Sequence, residues 1–283
     1  MNIAVDIGNT NLKWGVFTPA GELVGLIRLP AKGIQPSKPF LRELLRGQML
    51  TNRVNSATPE DADPPPMTWR IAQTGSFPWK EWQTAILTIR PHDKFKIITR
   101  RHIPLNIAVH TPQKVGMDRL LAAFAATEKY GDPPTLVVDA GSAITIDVVQ
   151  HRTFCGGAIL PGLVAQSETY PRISEKLPLI PVSDPFFKSP PLYPGKTTKE
   201  AIYNGLYWGT IGAIRQCCDL LFPKKQDVRL VLTGGDAEYL LPGLSQVLPS
   251  QKITHCDTLV LEGIHCCFDS IQRTSAWKDR HDH

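Results

Sequence analysis

Two stretches of this chain share one pattern: IAVDIGNTNLK at residues 3–13 and LVVDAGSAITID at residues 136–147. In each, an apolar run leads to an Asp, one spacer and a Gly, and a second run with strand character follows. β-Branched runs bounded by such residues predict two strands joined by a tight turn. The Gly permits backbone angles that side chains disfavour, and the backbone N–H groups around it can bind an anion. The pattern therefore predicts two similar hairpins that bind phosphate, each with an Asp able to hold a cation or its water.

A simpler interpretation exists for either stretch alone, because Asp-x-Gly between two strands is a common hairpin turn. The presence of a second copy makes the phosphate-binding interpretation stronger than that of a simple turn. Two copies in matching strand contexts, half the chain apart, favour paired phosphate-binding hairpins over two unrelated turns.

Length and composition bound the class of protein. The chain has 283 residues, enough for two domains, with 42% hydrophobic and 20% charged residues. No apolar run approaches the roughly 18 residues that span a membrane, and the N-terminal residues lead into a strand without a basic and apolar leader. The six Cys form no CxxC pair. We therefore expect a cytoplasmic protein with reduced thiols and no membrane partner.

The net charge of +5 comes from scattered basic residues. The densest group is Lys94, Lys96, Arg100, Arg101 and His102, and it is not interleaved with aromatic residues. This predicts a solvated surface with mild attraction for anionic ligands, and no nucleic-acid partner.

Periodicity predicts the order β-β-β-α-β-α twice, which indicates a duplicated α/β chain with a cleft between its halves. The first half is predicted to contain strands 2–6, 11–17 and 22–29, helix 38–50, a Pro-rich loop 51–68, strand 69–73, helix 79–90 and strand 95–98. The second is predicted to contain helix 120–129, a hairpin from 136, strand 152–159, a helix from about 163, an extended loop 178–196, helix 198–221, strand 228–232, a further helix and a closing helix 259–272.

Six motifs in order carry a family resemblance: DIGNTNLK at 6–13, GMDR at 116–119, DAGSAIT at 139–145, GGAILPG at 156–162, TKEAI at 198–202 and TGGD at 233–236. With them the chain resembles the type III pantothenate kinases of the acetate kinase, sugar kinase, Hsp70 and actin superfamily. The resemblance implies duplicated ribonuclease H-like (actin-like ATPase) domains, each a mixed sheet with flanking helices. It places them at 1–114 and 115–283, with the closing helix 259–272 able to pack back on the first.

The resemblance also implies a function: ATP-dependent phosphorylation of pantothenate to 4′-phosphopantothenate, the first step of coenzyme A biosynthesis. It implies ATP with Mg²⁺, a monovalent cation (K⁺ or NH₄⁺) and a homodimer. Asp118 matches the general base, Asp6 lies near Mg²⁺, and Asp139 matches the monovalent-cation position. The positions implied for ATP and phosphate are Asp6, Gly8, Asn9, Thr10, Asn11, Lys13, Gly141, Ser142, Gly234 and Gly235. Those implied for pantothenate are Val109, Gly116, Met117, Asp118, Arg119 and Thr198.

Each of these residues also has a purely structural interpretation. Asp118 could be a helix N-terminal carboxylate favoured by the helix dipole, and Lys13 could extend from a strand into solvent. Thr198 could be a helix N-cap, and Gly234 and Gly235 could form only a strand-to-helix turn.

The chain departs from the family pattern on the acceptor side. Where the family carries Tyr three residues before Pro112, this chain has Val109, and the usual Ser-x-Val-x-Pro is replaced by QTGSFP at 73–78. Two other functions therefore stay open: a non-catalytic regulatory protein similar to the Bvg accessory factors, and a kinase of the same superfamily for another small hydroxyl compound.

Helix 198–221 carries small residues on one face, among them Ala201, Gly205, Gly209 and Gly212. Such a face permits close packing, and a two-fold axis would place the helix against its twin. This supports the expected homodimer.

Overall fold

The computed structural model describes residues 1–50, 65–182, 189–222 and 228–267, without the side chains of 46–50. Most of the predicted loop 51–68 and the end of the predicted helix 259–272 lie outside the described residues. The contacts divide the chain into two compact units. Unit 1 holds Met1–Pro104, Gly116–Leu121 and the residues from Val260 on, and unit 2 holds Leu105–Val115 and Ala122–Leu259.

Unit 1 is built on a five-stranded mixed sheet of order β3-β2-β1-β4-β5. The first three strands form an antiparallel meander, and β4 and β5 continue the sheet parallel to β1. Its elements are β1 (Asn2–Ile7), β2 (Asn11–Phe17), β3 (Leu23–Pro30), α1 (Lys38–Leu50), β4 (Thr68–Gln73), α2 (Trp79–Leu87) and β5 (Lys94–Ile97).

The core of unit 1 is rich in tryptophan. Trp14 packs edge-on against Trp69 at 5.2 Å and against Trp82 at 5.8 Å between ring centroids. All three rings are fully buried. Aromatic pairs in this geometry stabilise a fold beyond what their buried area contributes. The core therefore fixes the strands β1 and β2, which form the first hairpin, against β4.

Unit 2 is built on a six-stranded mixed sheet of order β11-β10-β7-β8-β9-β6. A helix α3 (Met117–Tyr130) precedes its central hairpin. The other elements are β6 (Asn106–Ile107), β7 (Thr135–Ala140), β8 (Ala143–Gln150), β9 (Thr153–Pro161), α4 (Leu163–Ser167), α5 (Tyr170–Ile173), α6 (Thr198–Leu221), β10 (Arg229–Thr233), α7 (Ala237–Val247) and β11 (Lys252–His255).

The strand order β9-β8-β7-β10-β11 in unit 2 repeats β3-β2-β1-β4-β5 in unit 1. Strand directions also agree, because β7 pairs antiparallel with β8 and parallel with β10, as β1 does with β2 and β4. The predicted duplication and the mixed sheets with flanking helices are confirmed. The short β6, parallel to β9, is an addition in unit 2.

Several predicted elements differ from the structure. Strands β6 and β11 were not predicted, because two and four residues are too few to show an alternating pattern. Helix α2 ends at Leu87 rather than residue 90, since Pro91 disfavours helical angles in the residue before it. The helix predicted from residue 120 begins at Met117. The helix predicted from about 163 is two short helices, and Pro171 lies in the first turn of the second.

The closing helix α8 spans residues 259–267, and its residues 260–267 belong to unit 1. The Phe17 and His265 rings are stacked with centroids 4.2 Å apart, and the Arg70 guanidinium donates to the His265 carbonyl oxygen. Gly15 leaves the space that Leu261 approaches. Among the described helices, none combines the length and apolar character needed to cross a bilayer.

Candidate nucleotide and acceptor site

The first predicted hairpin joins β1 and β2. Asp6 pairs with Lys13 and Ile7 with Leu12 across the two strands. The Gly8 N–H donates to the Asn11 carbonyl oxygen at 3.0 Å and closes the turn. Asp6 is buried, whereas the turn residues Asn9, Thr10 and Asn11 are exposed. The turn therefore offers polar groups to solvent directly above a buried carboxylate.

The second hairpin joins β7 and β8 in the same way. Asp139 pairs with Thr145, and Ala140 with Ile144. The Gly141 N–H donates to the Ala143 carbonyl oxygen at 3.0 Å, so this turn is one residue shorter than the first. Ser142 at its tip is exposed. The two turns are alike in position but not in length or in the residue opposite the Asp.

Gly234 is brought directly against the second hairpin. A β-carbon there would lie 2.5 Å from Asp139 Oδ1, and the φ of +97° is one that side chains rarely adopt. The Asp236 N–H donates to the Ala140 carbonyl oxygen at 2.9 Å. Gly235 is exposed, with open space where a side chain would be. The structure therefore brings the Asp139 carboxylate, the second turn and the loop after β10 together.

Two neighbours of the second hairpin, Gly162 and Asp236, were not predicted as site residues from the sequence, although both lie in quoted motifs. The Gly162 N–H donates to the Ser142 carbonyl oxygen at 3.2 Å, and a β-carbon at Gly162 would lie 2.7 Å from that oxygen. Burial raises the pKa of Asp236 to about 6. The signals in the sequence were the ends of the GGAILPG and TGGD motifs.

Asp118 lies in the first turn of α3, within unit 1. Its Oδ1 accepts the Arg119 N–H at 2.9 Å, and the side chain is half-buried. A side chain at Gly116 would collide with that same oxygen. Met117 is half-buried as well. Gly116 thus makes room for a carboxylate at the N-terminal end of the helix, where the helix dipole stabilises negative charge.

Val109 and Thr198 lie in unit 2. Val109 Cγ1 is 3.3 Å from the place a β-carbon of Gly156 would take. Thr198 is the exposed first residue of α6. The suggestion that Thr198 is the N-cap is wrong. Thr197 caps the helix by accepting the Glu200 N–H at 3.2 Å, and the Glu200 carboxylate accepts the Thr197 N–H at 3.2 Å.

The donors present suit the two expected cations. No group of three or more His, Cys, Asp or Glu side chains that could hold a metal ion occurs among the described residues. Mg²⁺ commonly binds through one or two carboxylates together with substrate phosphates and water, which fits the single Asp6. Asp139 Oδ1 lies 3.6 Å from where a β-carbon of Gly141 would be and 2.5 Å from where one of Gly234 would be, so glycine backbone surrounds the second carboxylate.

Solved structures identify the class to which this fold belongs. The chain superposes on Lmo2764 of Listeria monocytogenes, described as an N-acetylmannosamine kinase, with a TM-score of 0.50 at 14% identity, covering 96% of this chain and 99% of that one. It superposes on a conserved Baf family protein of Campylobacter jejuni, described as a transcriptional activator, with a TM-score of 0.55 at 20% identity and the same coverage. The fold is that of the actin-like ATPases and sugar kinases.

Sequence comparison defines the family. The family model for type III pantothenate kinase matches residues 2–219. The type III pantothenate kinase of Flavobacterium johnsoniae is 27% identical over 249 residues, covering 88% of this chain and 91% of that protein. The type III pantothenate kinase of Persephonella marina is 35% identical over 144 residues. This match covers 50% of this chain and 54% of that protein. The chain belongs to the type III pantothenate kinase family.

Proposed function

We propose that the protein transfers the γ-phosphoryl group of ATP to pantothenate, forming 4′-phosphopantothenate in the first step of coenzyme A biosynthesis. The observation that carries this proposal is the repeated Asp-x-Gly hairpin at the same place in two sheets of equal order. Phosphoryl transfer needs bound phosphates, cations on the developing charge and a group that accepts the proton of the hydroxyl. The family match adds the acceptor.

In this mechanism Asp118 accepts the proton of the pantothenate hydroxyl as its oxygen attacks the γ-phosphorus. The bond from that phosphorus to the bridging oxygen breaks, and ADP leaves. Lys13 contributes positive charge beside the first turn. Asp6 would hold Mg²⁺, which when bound neutralises charge on the phosphate oxygens. Asp118 and the first hairpin both belong to unit 1, which supports their joint action.

The role of Asp118 is tested with Asp118→Asn, which keeps an oxygen able to accept the Arg119 N–H. Loss of a general base lowers turnover by roughly 10²–10⁴, while the affinity for ADP stays unchanged. Turnover near the wild-type value would remove Asp118 from the mechanism.

We further propose that Asp139 binds K⁺ or NH₄⁺. The residue opposite Asp139 is Thr145, so this hairpin lacks the lysine that faces Asp6 in the first. A monovalent ion would add positive charge beside the second hairpin. Activity should rise on titration with K⁺ at saturating Mg-ATP, and full activity in sodium-only or Tris-only buffer would contradict the proposal.

We also propose a homodimer, and the exposed face of α6 supports this proposal. Ala201, Gly205, Gly209 and Gly212 are exposed there, and β-carbons at Gly209 and Gly212 would meet open space. A second copy of α6 could approach closely along this face. Light scattering should give about twice the chain mass of 31.4 kDa, and a mass near one chain at micromolar concentration would refute the dimer. A cytoplasmic location stays a prediction.

One assay separates the proposed activity from its alternatives. Coupled measurement of ADP release, with and without pantothenate, shows pantothenate-dependent turnover if the proposal is right. Nucleotide binding without any turnover would favour a regulatory protein. ATP turnover that pantothenate does not stimulate, but another small hydroxyl compound does, would favour the other acceptor that Val109 leaves open.

A further inference from the structure

The segment that follows β4 docks on the first hairpin. The N–H groups of Thr74 and Gly75 both donate to the Ile7 carbonyl oxygen, at 2.9 and 3.0 Å. The Thr74 hydroxyl donates to the same oxygen at 3.0 Å. A carbonyl oxygen has two lone pairs, so three donors occupy it fully. The peptide immediately before Gly8 is thereby fixed.

Gly75 also packs directly against the turn. It is buried, and a β-carbon there would lie 2.6 Å from the Gly8 carbonyl carbon and 2.9 Å from the Asn9 nitrogen. These neighbours are backbone atoms, which cannot rotate away as a flexible side chain can. Any side chain at position 75 would therefore have to displace the turn itself.

The opposite side of the segment is anchored in the core. The Gln73 side-chain amide donates to the Gly75 carbonyl oxygen at 3.0 Å and approaches that of Phe77 at 3.4 Å. The buried Phe77 ring lies 5.4 Å from the Trp82 ring. Because these contacts fix the segment on the side away from the hairpin, we expect the segment to support the turn rigidly.

The second half contains a corresponding support. There the carbonyl before the hairpin glycine, that of Ala140, accepts the Asp236 N–H from the loop after β10. In that loop Gly234 packs against the hairpin. Both loops follow the strand that pairs in parallel with the first strand of the hairpin. The same device at both hairpins points to a shared task.

We propose that Thr74 and Gly75 are positioning residues for nucleotide binding: they hold the first turn in the shape that receives the phosphates of ATP. This inference rests on the proposed function of that turn. The family pattern assigned residues 73–78 to the acceptor side, but Thr74 and Gly75 contact the first hairpin. Loosening their contact should therefore weaken the binding of nucleotide more than that of the acceptor. A segment with a purely structural role would instead lower thermal stability and change both substrates alike.

The test compares Gly75→Ala and Thr74→Val with two matched controls in the same loop. Ser76→Ala changes the neighbouring exposed residue, and Thr74→Ser keeps the hydroxyl that bonds to Ile7. The measurements are the KM for ATP, the KM for pantothenate, the Kd for ADP by calorimetry, and Tm. They are made on the full-length protein.

We expect Gly75→Ala to raise the KM for ATP and the Kd for ADP by about 10-fold or more, since displacing the turn costs at least one hydrogen bond to phosphate. Thr74→Val should raise both by about 3-fold, because it removes one of three bonds. The KM for pantothenate should change by less than about 2-fold, which is smaller than the change expected for nucleotide binding in either variant. Both controls should match the wild type.

Equal changes in the two KM values, or a lower Tm with unchanged ADP affinity, would overturn the inference. If Gly75→Ala does not fold, the contrast between Thr74→Val and Thr74→Ser decides. A wild type that binds ADP but leaves pantothenate unphosphorylated would refute the proposed function alone, and the ADP affinities would still decide the inference. A wild-type protein that binds no nucleotide would refute both the proposed function and the positioning role of Thr74 and Gly75.

Discussion

Lys13 and Thr145 occupy the same place in the two sheets, each directly across from the Asp that precedes a hairpin glycine. Side chains paired in this way have β-carbons about 4.5–5.5 Å apart. The first hairpin therefore carries a lysine across from Asp6, and the second carries a threonine across from Asp139. The two hairpins share a backbone plan, but their charges differ, so we expect them to have different tasks.

Replacing Lys13 with Met should reduce kcat/KM for ATP by about 10–100-fold, the worth of one hydrogen bond to a charged group. Met keeps the length and apolar stem of Lys, so Tm should change little. Lys13→Arg retains the charge and serves as the control, with most of the activity preserved. Wild-type kinetics in Lys13→Met would show that the ammonium only extends into solvent.

Val109 packs over Gly156, and its Cγ1 is 3.3 Å from the place a β-carbon of Gly156 would take. A Tyr at position 109 would supply the ring and hydroxyl that the family pattern places there. A recovered hydrogen bond of about 0.5–1.5 kcal/mol, with added ring contact, should lower the KM for pantothenate by about 10-fold in Val109→Tyr. The KM for ATP should stay constant.

His110, the exposed neighbour, provides the control for Val109. If His110 supplies the missing contact instead, His110→Ala would raise the KM for pantothenate and Val109→Tyr would not lower it. That result would mean that the acceptor pocket is built differently in this chain.

Asp93 joins the two ends of the segment around α2. Its carboxylate accepts the Arg90 Nε–H at 2.7 Å, the Met67 N–H at 2.9 Å and the Trp69 indole N–H at 2.8 Å. Both charged side chains are almost completely buried. Asp93→Ala leaves the Arg90 charge unpaired, so the free energy of unfolding should fall by about 3–5 kcal/mol.

Tryptophan fluorescence during urea unfolding measures this change, because Trp14, Trp69 and Trp82 lie in the same core. The control is Asp219→Ala, which breaks an exposed pair with Arg215 on α6 and should cost less than about 1 kcal/mol. Equal costs for the two variants would contradict the importance of burial.

Asp236 makes stability depend on pH. Burial raises its pKa from 3.8 to about 6 in the folded protein, so between about pH 4 and pH 6 the folded state binds more protons than the unfolded state. The stabilising effect of the bound proton is present below this window and lost as pH rises through it. Asp236→Asn cannot ionise, and its stability relative to the wild type should therefore increase across the window.

The expected gain of Asp236→Asn over the wild type is near zero at pH 4 and about 1–2 kcal/mol at pH 7, after allowing for solvent screening of a half-buried group. Urea unfolding of both proteins at each pH measures it. Because other carboxylates titrate equally in both proteins, their effects cancel in the difference. A difference that stays constant with pH would disprove the assignment to Asp236.

Local patterns in the sequence predicted the hairpins and the repeated order of the elements. The runs before Asp6 and Asp139 are β-branched, and the glycines two residues later permit tight turns, so short-range preferences alone specify these hairpins. The same rules missed β6 and β11. Strands of two and four residues become strands only because a neighbouring strand pairs with them.

The sequence by itself thus determined the duplication, the two turns and the candidates Asp6, Lys13, Asp118 and Asp139. Only the tertiary structure decided which groups support them. Gly75 reaches the first turn because β4 pairs with β1 in one particular register, and Asp236 lies half-buried beside the second turn because β10 pairs with β7. Such contacts depend on strand pairing between distant parts of the chain, and residue preferences carry no information about that register. The hairpins are local in origin, and their rigidity and charge environment come from the assembled sheets.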